Sequence, residues 1–575
     1  MDGEYDYVIV GGGAAGCVLA NRLSADPANK VALVEAGPEG NSRKALVRMP
    51  LAYVSFMAPA LAFLGGAKFM SWFKTEPEPG LQGRRLMLPR GAGVGGSTNV
   101  NGQIFIRGQR EDFDHWRDLG NPGWGFDDLL PYFKKLETFE ALADPKGSRH
   151  VRLGGAPLGP QVDPAYHGTS GPVNIAQPRS INPMTLAFLE AAQQAGYALT
   201  ADFNGARQNG FGYYTFIHKN GLRHGAEAAF ITPIRHRPNL TILANRPATR
   251  LLMEGKRAVG IAWDNGTEKG EVRGREIILS AGSFVSPHLL MLSGIGDPGE
   301  LARHGIETVV ALPGVGENLQ EHLDITLEFK AKTTAPYGIS WRALPKNILH
   351  VLNWLLRRRG LFASTTAEGG AFVSTVPGVE RPDVQLFFCA AVANTQNAAG
   401  FTGHGFLLHV TDLRPKSVGR LRLNSADPRR KPAILYNFFR GEATMDALRE
   451  GFRICRKLVQ QPAFARHLDH EVSPGPETES DGAIDAFIRQ TVGTLFHPVG
   501  TCSMGVGPEA VVDPASLRVH GVEGLRVIDA SVMPAIVSAN TMAATYCIAE
   551  KGADLILGEG RHSSTSDPAR TDPHP

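Results

Sequence analysis

The chain contains little cysteine and carries little net charge for its length of 575 residues. Its five cysteines are scattered and show no CxxC spacing, which argues against a disulfide framework and against a zinc site, so we expect no metal. Because 59 basic and 56 acidic residues leave a net charge of +3, a nucleic-acid partner is not expected. Cysteines without partners favour a reducing, cytoplasmic compartment.

A secretory signal and an unbroken apolar span are also missing. A strand-like run begins at Asp6, which leaves no space for the charged, apolar and cleavage regions of a signal peptide, so we expect a cytoplasmic protein. The uncharged run at residues 49–67 is interrupted by Pro50 and Pro59, which argues against a membrane-spanning helix. Three interpretations of this run stay open: a packing loop, a substrate-entrance loop, or a segment dipping into one membrane leaflet.

Residues 341–362 form a second apolar segment. Leucine and isoleucine recur there at helical spacing before three consecutive arginines. We interpret it as a helix that faces the core and ends in cations, which the helix dipole favours. Basic amphipathic helices also bind membrane surfaces, so peripheral contact with the inner face of the membrane stays an alternative.

The N-terminal residues 6–37 read DYVIVGGGAAGCVLANRLSADPANKVALVEAG. An apolar run precedes glycines in GxGxxG spacing, a helical run follows, and a second apolar run ends at Glu35. This order predicts a dinucleotide-binding unit, with Gly11 in the tight turn, Gly13 beneath a pyrophosphate and Gly16 at the contact between helix and strand. An acid at Glu35 suits a ribose hydroxyl and argues against NADP. The alternative is a turn whose glycines are there for steric reasons alone.

Four distant segments narrow the ligand down. The chain resembles the glucose-methanol-choline (GMC) family of flavoprotein oxidoreductases over residues 5–557, most of all bacterial choline, alkanol and polyethylene glycol dehydrogenases. The segments that carry this resemblance are PRGAGVGGSTNVNGQIFIRG (89–108), GSFVSPHLLMLSGIG (282–296), LFHPVGTCSMG (495–505) and LRVIDASVMPAIVSANTMAAT (525–545). The closer likeness within the family is carried by KNGLRHG (219–225), PGVGENLQEHLDITL (313–327) and LFASTTAEGGAFV (361–373).

The resemblance implies an α/β fold of two domains. One is a Rossmann-like FAD-binding domain, and the other is an inserted substrate-binding domain built on an antiparallel sheet flanked by helices. A chain of this length exceeds the size of a single core, which agrees with two domains. We expect the FAD-binding domain at 1–165, 212–322 and 488–558, the substrate-binding domain at 166–211 and 323–487, and a disordered tail at 559–575.

The resemblance also implies noncovalent FAD. Relatives that attach FAD covalently use a histidine just before the asparagine that matches Asn101, and Val100 stands at that position here. The backbone of Ala248 would meet the adenine. The residues expected to contact FAD are Gly11, Gly13, Ala14, Ala15, Gly16, Glu35, Ala36, Arg90, Gly95, Gly96, Ser97, Asn101, Gly102, Ala248, Asp529, Ala530, Asn540, Thr541 and Met542.

Alcohol oxidation needs a base for the hydroxyl proton and an acceptor for the hydride. A neutral imidazole suits the first task because its ordinary pKa is near neutral pH, and His497 lies in the segment that matches the family's active site. Asn540 would donate a hydrogen bond to the alkoxide. A helix expected to begin at Thr541 would favour negative charge at the flavin. We expect a structural or domain-joining role for His322.

The expected function is oxidation of a primary aliphatic alcohol with an apolar chain to its aldehyde, with electrons passed to a quinone-type or artificial acceptor. Three alternatives within the family stay open: an alcohol oxidase that uses O2, a choline dehydrogenase, and a light-driven fatty-acid decarboxylase. Cys389 lies near the position of a functional cysteine in the decarboxylase branch, but His497 argues against that branch. A flavin-binding protein without catalysis would be expected to lack His497 or Asn540. The oligomeric state is not predicted.

Overall fold

The computed structural model describes residues 4–57, 66–144, 152–153, 155–157, 161–392, 403–441 and 443–564. The α-helices of this part are α1 (Ala14–Leu23), α2 (Ala45–Arg48), α3 (Tyr53–Met57), α4 (Arg110–Asp118), α5 (Phe126–Leu136), α6 (Glu140–Ala143), α7 (Pro183–Gln194), α8 (Gly282–Leu292), α9 (Pro298–Arg303), α10 (Leu344–Arg357), α11 (Ala443–Val459), α12 (Pro462–Ala465), α13 (Asp481–Thr491) and α14 (Met542–Ser564). The strands of the two large sheets are β1 (Tyr5–Val10), β2 (Val31–Val34), β3 (Gly210–Tyr213), β4 (Leu240–Leu243), β5 (Ala248–Glu254), β6 (Arg257–Asp264), β7 (Lys269–Leu279), β8 (Leu323–Ala331), β9 (Gly338–Ile339), β10 (Gly369–Val373), β11 (Val384–Cys389), β12 (Gly403–Asp412), β13 (Leu468–Ser473), β14 (Gly493–Thr494) and β15 (Leu525–Val527).

The first large sheet carries the predicted dinucleotide unit. β1 pairs in parallel with β2 and β7, and β4 and β15 extend this parallel part on either side. β5, β6 and β7 continue as an antiparallel meander. The four residues of β2 and the last four of β1 are buried, as apolar runs in a parallel sheet covered on both faces require. The predicted order of strand, glycine loop, helix and strand is confirmed.

The second large sheet is antiparallel throughout, in the order β13, β8, β12, β11, β10, β3. β9 pairs with β12, and β14 pairs with β8. Helix α11 packs on β12, and α7 contacts β11 and α12. A Rossmann-like sheet beside a helix-flanked antiparallel sheet is the predicted fold class. Since β3 and β14 reach the second sheet from 210–213 and 493–494, segments distant in sequence build it, and the domain boundaries stay a prediction.

The first and last helices of the described chain pack together beneath the glycine motif. Helix α1 contacts α14, which brings the N-terminal unit against the C-terminal segment. The contact between α1 and the glycine turn that follows β1 is so close that a Cβ atom on Gly16 would lie 1.9 Å from the carbonyl oxygen of Gly11. Helix α14 continues to Ser564, beyond the predicted start of the tail at 559, and residues 565–575 lie outside the described part.

The two apolar segments differ from simple expectations. Residues 50–57 form a short 3₁₀ turn and α3, whereas 58–65 of the uncharged run lie outside the described residues. Among the described residues, no helix is both long and apolar enough to cross a bilayer. The prediction that residues 341–362 form a core-facing helix is wrong in its orientation: α10 is a helix, but Leu356 is 79% exposed. Helical spacing defines an apolar face without fixing which way that face points.

Candidate active site

One cavity of about 660 Å³ is lined by residues of both large sheets. It brings together segments that are nearly 500 residues apart in sequence. Gly16 and Gly95 are the two predicted site residues outside the lining; Gly16 lies within α1, and Gly95 lies in a turn with a φ of +96°. The predicted site residues that do line the cavity are Gly11, Gly13, Ala14, Ala15, Glu35, Ala36, Arg90, Gly96, Ser97, Asn101, Gly102, Ala248, His497, Asp529, Ala530, Asn540, Thr541 and Met542.

At one end, the glycine loop leaves an open, polar cradle. Gly11 adopts a φ of +105°, and a Cβ atom on it would lie 2.5 Å from the Ser280 carbonyl oxygen, so the turn requires glycine. Gly13 has free space on the cavity side, where an added Cβ would meet its nearest atom at 3.9 Å. Helix α1 begins there without a side-chain cap, so its first N–H groups are free to bind an anion. These features fit a diphosphate.

Glu35 lines this end of the cavity and also stabilises the backbone around it. Its carboxylate accepts hydrogen bonds from the backbone N–H groups of Gly12 (2.7 Å), Gly37 (2.8 Å) and Gly93 (3.1 Å). The bonds tie the first glycine loop to the second glycine-rich segment. A carboxylate has about four acceptor sites, so one remains for a ribose hydroxyl. The sequence predicted the ribose contact of Glu35 but not its hydrogen bonds to these backbone N–H groups.

Asp529 also lines the cavity, but the protein already uses its carboxylate fully. It accepts hydrogen bonds from the backbone N–H of Gly282 (2.8 Å), from the Ser286 hydroxyl (2.6 Å), and from the N–H (2.8 Å) and hydroxyl (2.6 Å) of Ser531. These bonds fix the start of α8 and the segment before α14. Asp529 therefore shapes the cavity wall, with no acceptor site left for a direct hydrogen bond to a ligand.

At the other end, His497 lies between two polar side chains. Its Nε2 is 3.3 Å from the Asn540 amide nitrogen, and its Nδ1 is 3.0 Å from Nδ1 of His322. When Asn540 donates, Nε2 of His497 is an acceptor, and the single proton of the neutral ring sits on Nδ1 and is donated to His322. His322 is thus a partner of His497, which the sequence did not reveal. Oδ1 of Asn540 has no partner among the described residues and is available to a ligand.

The imidazole of His497 is electrically neutral. Burial holds its pKa well below the ordinary value, and the nearby His322 and Arg90 lower it further. Burial likewise lowers the pKa of His322 to about 4. Two neutral imidazoles at 3.0 Å satisfy each other with one shared hydrogen bond, whereas protonating both would place two positive charges together. A neutral Nε2 is the form required to accept a proton.

Two side chains, those of Arg90 and Glu321, fix the backbone at His497. The residue before it, Phe496, has a φ of +62°, a conformation uncommon for a residue other than glycine. Arg90 donates to the Phe496 carbonyl at 2.7 Å. One oxygen of Glu321 accepts from the N–H groups of His497 (2.7 Å) and His322 (2.9 Å). Burial raises the pKa of Glu321 to about 8, with the two N–H bonds and Arg90 opposing that rise.

The second sheet contributes a polar wall that sequence reasoning missed. His409 on β12 donates from Nδ1 to Asp324 on β8 at 2.8 Å, and Asp324 also accepts from the Thr411 hydroxyl at 2.8 Å. Asp324 raises the pKa of His409 well above its ordinary value despite burial, so the ring is an imidazolium. Cys389 and Thr326 line the cavity beside it. The pair comes from adjacent antiparallel strands, a neighbourhood that depends on sheet register.

Comparison with known proteins gives one consistent result. Family models described as GMC oxidoreductase match residues 5–324 and 415–549. The alcohol dehydrogenase [acceptor] of Pseudomonas putida is 39% identical over 557 residues, covering 96% of each chain. Human mitochondrial choline dehydrogenase is 39% identical over 565 residues, covering 97% of this chain and 90% of the relative.

Solved structures agree with the sequence relatives. A formate oxidase variant of Aspergillus oryzae RIB40 superposes with a TM-score of 0.86 at 28% identity, over 98% of this chain and 100% of that one. Pyridoxine 4-oxidase from Mesorbium loti gives a TM-score of 0.82 at 28% identity, over 96% and 99%.

The raised pKa of Glu321 predicts a specific dependence of stability on pH. In the folded protein this carboxyl keeps its proton up to about pH 8, whereas the ordinary value is 4.5. Between these values the folded state binds more protons, so the free energy of unfolding falls as pH rises through that window. We expect Glu321→Gln to flatten this decline in the apparent unfolding midpoint, measured by scanning calorimetry.

Glu479→Gln is the matched control, since Glu479 is exposed and should leave the pH slope of the unfolding midpoint as in the parent protein. If the unfolding midpoints of the parent and Glu321→Gln proteins changed equally with pH between 4.5 and 8, the assignment of a buried, protonated carboxyl to Glu321 would be wrong.

Proposed function

The chain belongs to the GMC oxidoreductase family, and within it we propose that the protein oxidises a primary alcohol with an apolar chain to the aldehyde. The family is FAD-dependent. The observation that carries the proposal is the buried neutral imidazole of His497, whose Nε2 faces the cavity beside the Asn540 amide at 3.3 Å.

The residues of the cradle would hold FAD. The uncapped N-terminus of α1 and Gly13 would receive the diphosphate, Glu35 the ribose and Ala248 the adenine, and Asn101 and Met542 would lie towards the ring. FAD, when bound, accepts the hydride that leaves the alcohol carbon. We propose that binding is noncovalent, because Val100 in the cavity lining has no atom able to form a covalent bond to the cofactor.

The protein residues would handle the proton and the developing charge. Nε2 of His497 would accept the hydroxyl proton, and the Nδ1 hydrogen bond to His322 would keep the ring in the tautomer that makes this possible. The Asn540 amide would donate to the alcohol oxygen as it becomes negative. Helix α14 begins at Met542, directly after these groups, and its N-terminal dipole favours negative charge in the same region.

The charge of the described cavity lining favours a neutral alcohol over choline. Its three carboxylates are already engaged: Glu35 by backbone N–H groups, Asp529 by four hydrogen bonds, and Asp324 by the His409 imidazolium. A quaternary ammonium ion would find no free anion among the residues described there. The paired charges of His409 and Asp324 cancel, so this part of the wall offers a quaternary ammonium ion no net attraction.

We expect His497→Ala to slow anaerobic reduction of the bound flavin by alcohol by about 10²- to 10⁴-fold, the usual contribution of a general base. The measurement is stopped-flow absorbance of the flavin with a saturating alcohol. In the parent protein, the rate should not fall between pH 7 and 6, because the pKa of His497 lies well below 6.5.

His236→Ala serves as the control, since His236 is exposed and absent from the cavity lining. It should bind FAD and be reduced at the parental rate. Retention of near-parental flavin reduction by His497→Ala, with FAD bound, would contradict the assignment of the base.

For the substrate, we expect kcat/KM for 1-octanol to exceed that for choline by at least about tenfold, equivalent to roughly 1.4 kcal/mol in transition-state binding. A steady-state assay with a soluble artificial electron acceptor measures both. His409→Gln leaves the Asp324 carboxylate without its cationic partner and should narrow the ratio of the two kcat/KM values by improving choline oxidation. Equal activity on both substrates in the parent protein would contradict the preference for an apolar neutral chain.

The electron acceptor separates the dehydrogenase from the oxidase alternative. We propose a quinone-type acceptor and therefore expect little hydrogen peroxide per aldehyde formed in air, and rapid turnover when a soluble ubiquinone analogue is added. Peroxide and aldehyde are quantified in the same reaction. One peroxide per aldehyde, unchanged by the quinone, would assign the protein to the oxidases.

A further inference from the structure

Helix α10 and the residues just before it present a continuous apolar surface to solvent. Of the seventeen large hydrophobic side chains exposed in the described part of the chain, nine lie here, including Trp341 at 80% exposure and Leu356 at 79%. We call this surface the α10 face. Its members are Ile339, Trp341, Leu344, Ile348, Leu349, Val351, Leu352, Leu355 and Leu356.

The polarity of the helix is inverted relative to an ordinary surface helix. Lys346 donates to the carbonyl oxygens of Thr334 and Ala335 at 3.0 Å, and the Asn347 amide donates to Gly338 at 3.0 Å. These polar residues point towards the body of the protein. At 100° per residue, the apolar side chains of α10 cover roughly 160° of the circumference on the opposite side.

The contacts fix this orientation firmly. Trp354 is buried on the inner side. Beyond the helix, the Arg359 guanidinium donates to the Arg179 carbonyl at 3.1 Å, and the backbone N–H of Gly360 donates to the Ser180 hydroxyl at 2.8 Å. Turning the apolar side inward would break these bonds and those of Lys346. These contacts keep the α10 face directed away from the rest of the described chain, so no other described element covers it.

The charged side chains in the segment that carries the α10 face are all cationic. Residues 339–359 contain five cationic side chains and no acidic one. Arg342 and Arg357 are exposed at the two ends of the helix, and Arg358 follows immediately. A wide apolar stripe with Trp and Leu, bordered by arginines, is the composition of helices that lie in the plane of a bilayer interface. The cations complement anionic phospholipid headgroups.

We propose that the α10 face binds the surface of an anionic phospholipid bilayer, with the helix lying in the plane of the membrane. At 14 residues the helix is about 21 Å long, too short to span a bilayer but sufficient to lie in its interface. A second copy of the chain fits this face less well. A two-fold contact would bring the arginines of both copies together without an acid in either segment.

The test measures cosedimentation of the full-length, FAD-loaded protein with lipid vesicles. The parent protein should cosediment with vesicles of mixed phosphatidylglycerol and phosphatidylcholine, and less with phosphatidylcholine alone. The triple variant Ile348→Gln, Leu352→Gln, Leu356→Gln should bind at least about tenfold more weakly, because three apolar side chains no longer leave water on binding. Its flavin reduction by a soluble alcohol should equal that of the parent.

Two further variants separate the apolar contribution from the electrostatic one. Arg342→Gln with Arg357→Gln should weaken binding to anionic vesicles by about fivefold per charge, and have little effect on binding to phosphatidylcholine. The matched apolar control is Met87→Gln, Leu186→Gln, Val506→Gln, which removes three side chains exposed by 48%, 50% and 74% elsewhere on the protein. It should bind vesicles like the parent.

Equal sedimentation of the parent and the triple variant would overturn the proposal. So would a parent protein that does not bind anionic vesicles but forms a dimer that the triple variant abolishes, as measured by light scattering over a concentration series. That result would assign the α10 face to a second copy of the chain. Normal flavin reduction in either case would leave the catalytic proposal standing, so the two proposals fail separately.

Discussion

The backbone N–H groups of His322 and His497 donate to the same oxygen of Glu321, and the active site depends on this pair of bonds. They join the start of the second sheet to the C-terminal segment, which the sequence separates by 175 residues. Phe496 must adopt a left-handed conformation to bring His497 into place, and Arg90 holds its carbonyl. Removing Glu321 would leave two buried donors unsatisfied at the point where the imidazole is positioned.

The electrostatics of the base follow from the same arrangement. A carboxylate beside His497 would favour the imidazolium and raise its pKa. Burial instead raises the pKa of Glu321 to about 8, so near neutral pH its carboxyl is mainly uncharged, while Arg90 lowers the pKa of His497 directly. Because Glu321 is protonated, it carries no negative charge that would stabilise the imidazolium form of His497. The base therefore stays neutral in the absence of a counter-ion.

The elements that the sequence predicted are those whose signal is local. The order of β1, glycine loop, α1 and β2 is carried by consecutive residues, because the turn at Gly11 and the contact at Gly16 tolerate no side chain. The proximity of His497 and Asn540 was expected from the resemblance to a family. His322 as a partner of His497, and His409 paired with Asp324, were not predicted, because both depend on which strands are neighbours in the second sheet and in what register. Two such pairings cannot be read from spacing along a chain.

The misjudged helix shows a different limit. The leucines of α10 recur at helical spacing, and that spacing predicts an apolar face whether the face meets a core, another chain or a lipid surface. What decides the direction is the opposite face, where Lys346 and Asn347 find carbonyl acceptors of the protein. Their partners lie in the preceding loop and in β9, whose positions are set by tertiary structure. In most amphipathic helices the polar residues face solvent. In α10 they face the protein and attach the helix to it. The apolar side is left exposed, and its contact with water is unfavourable in free energy.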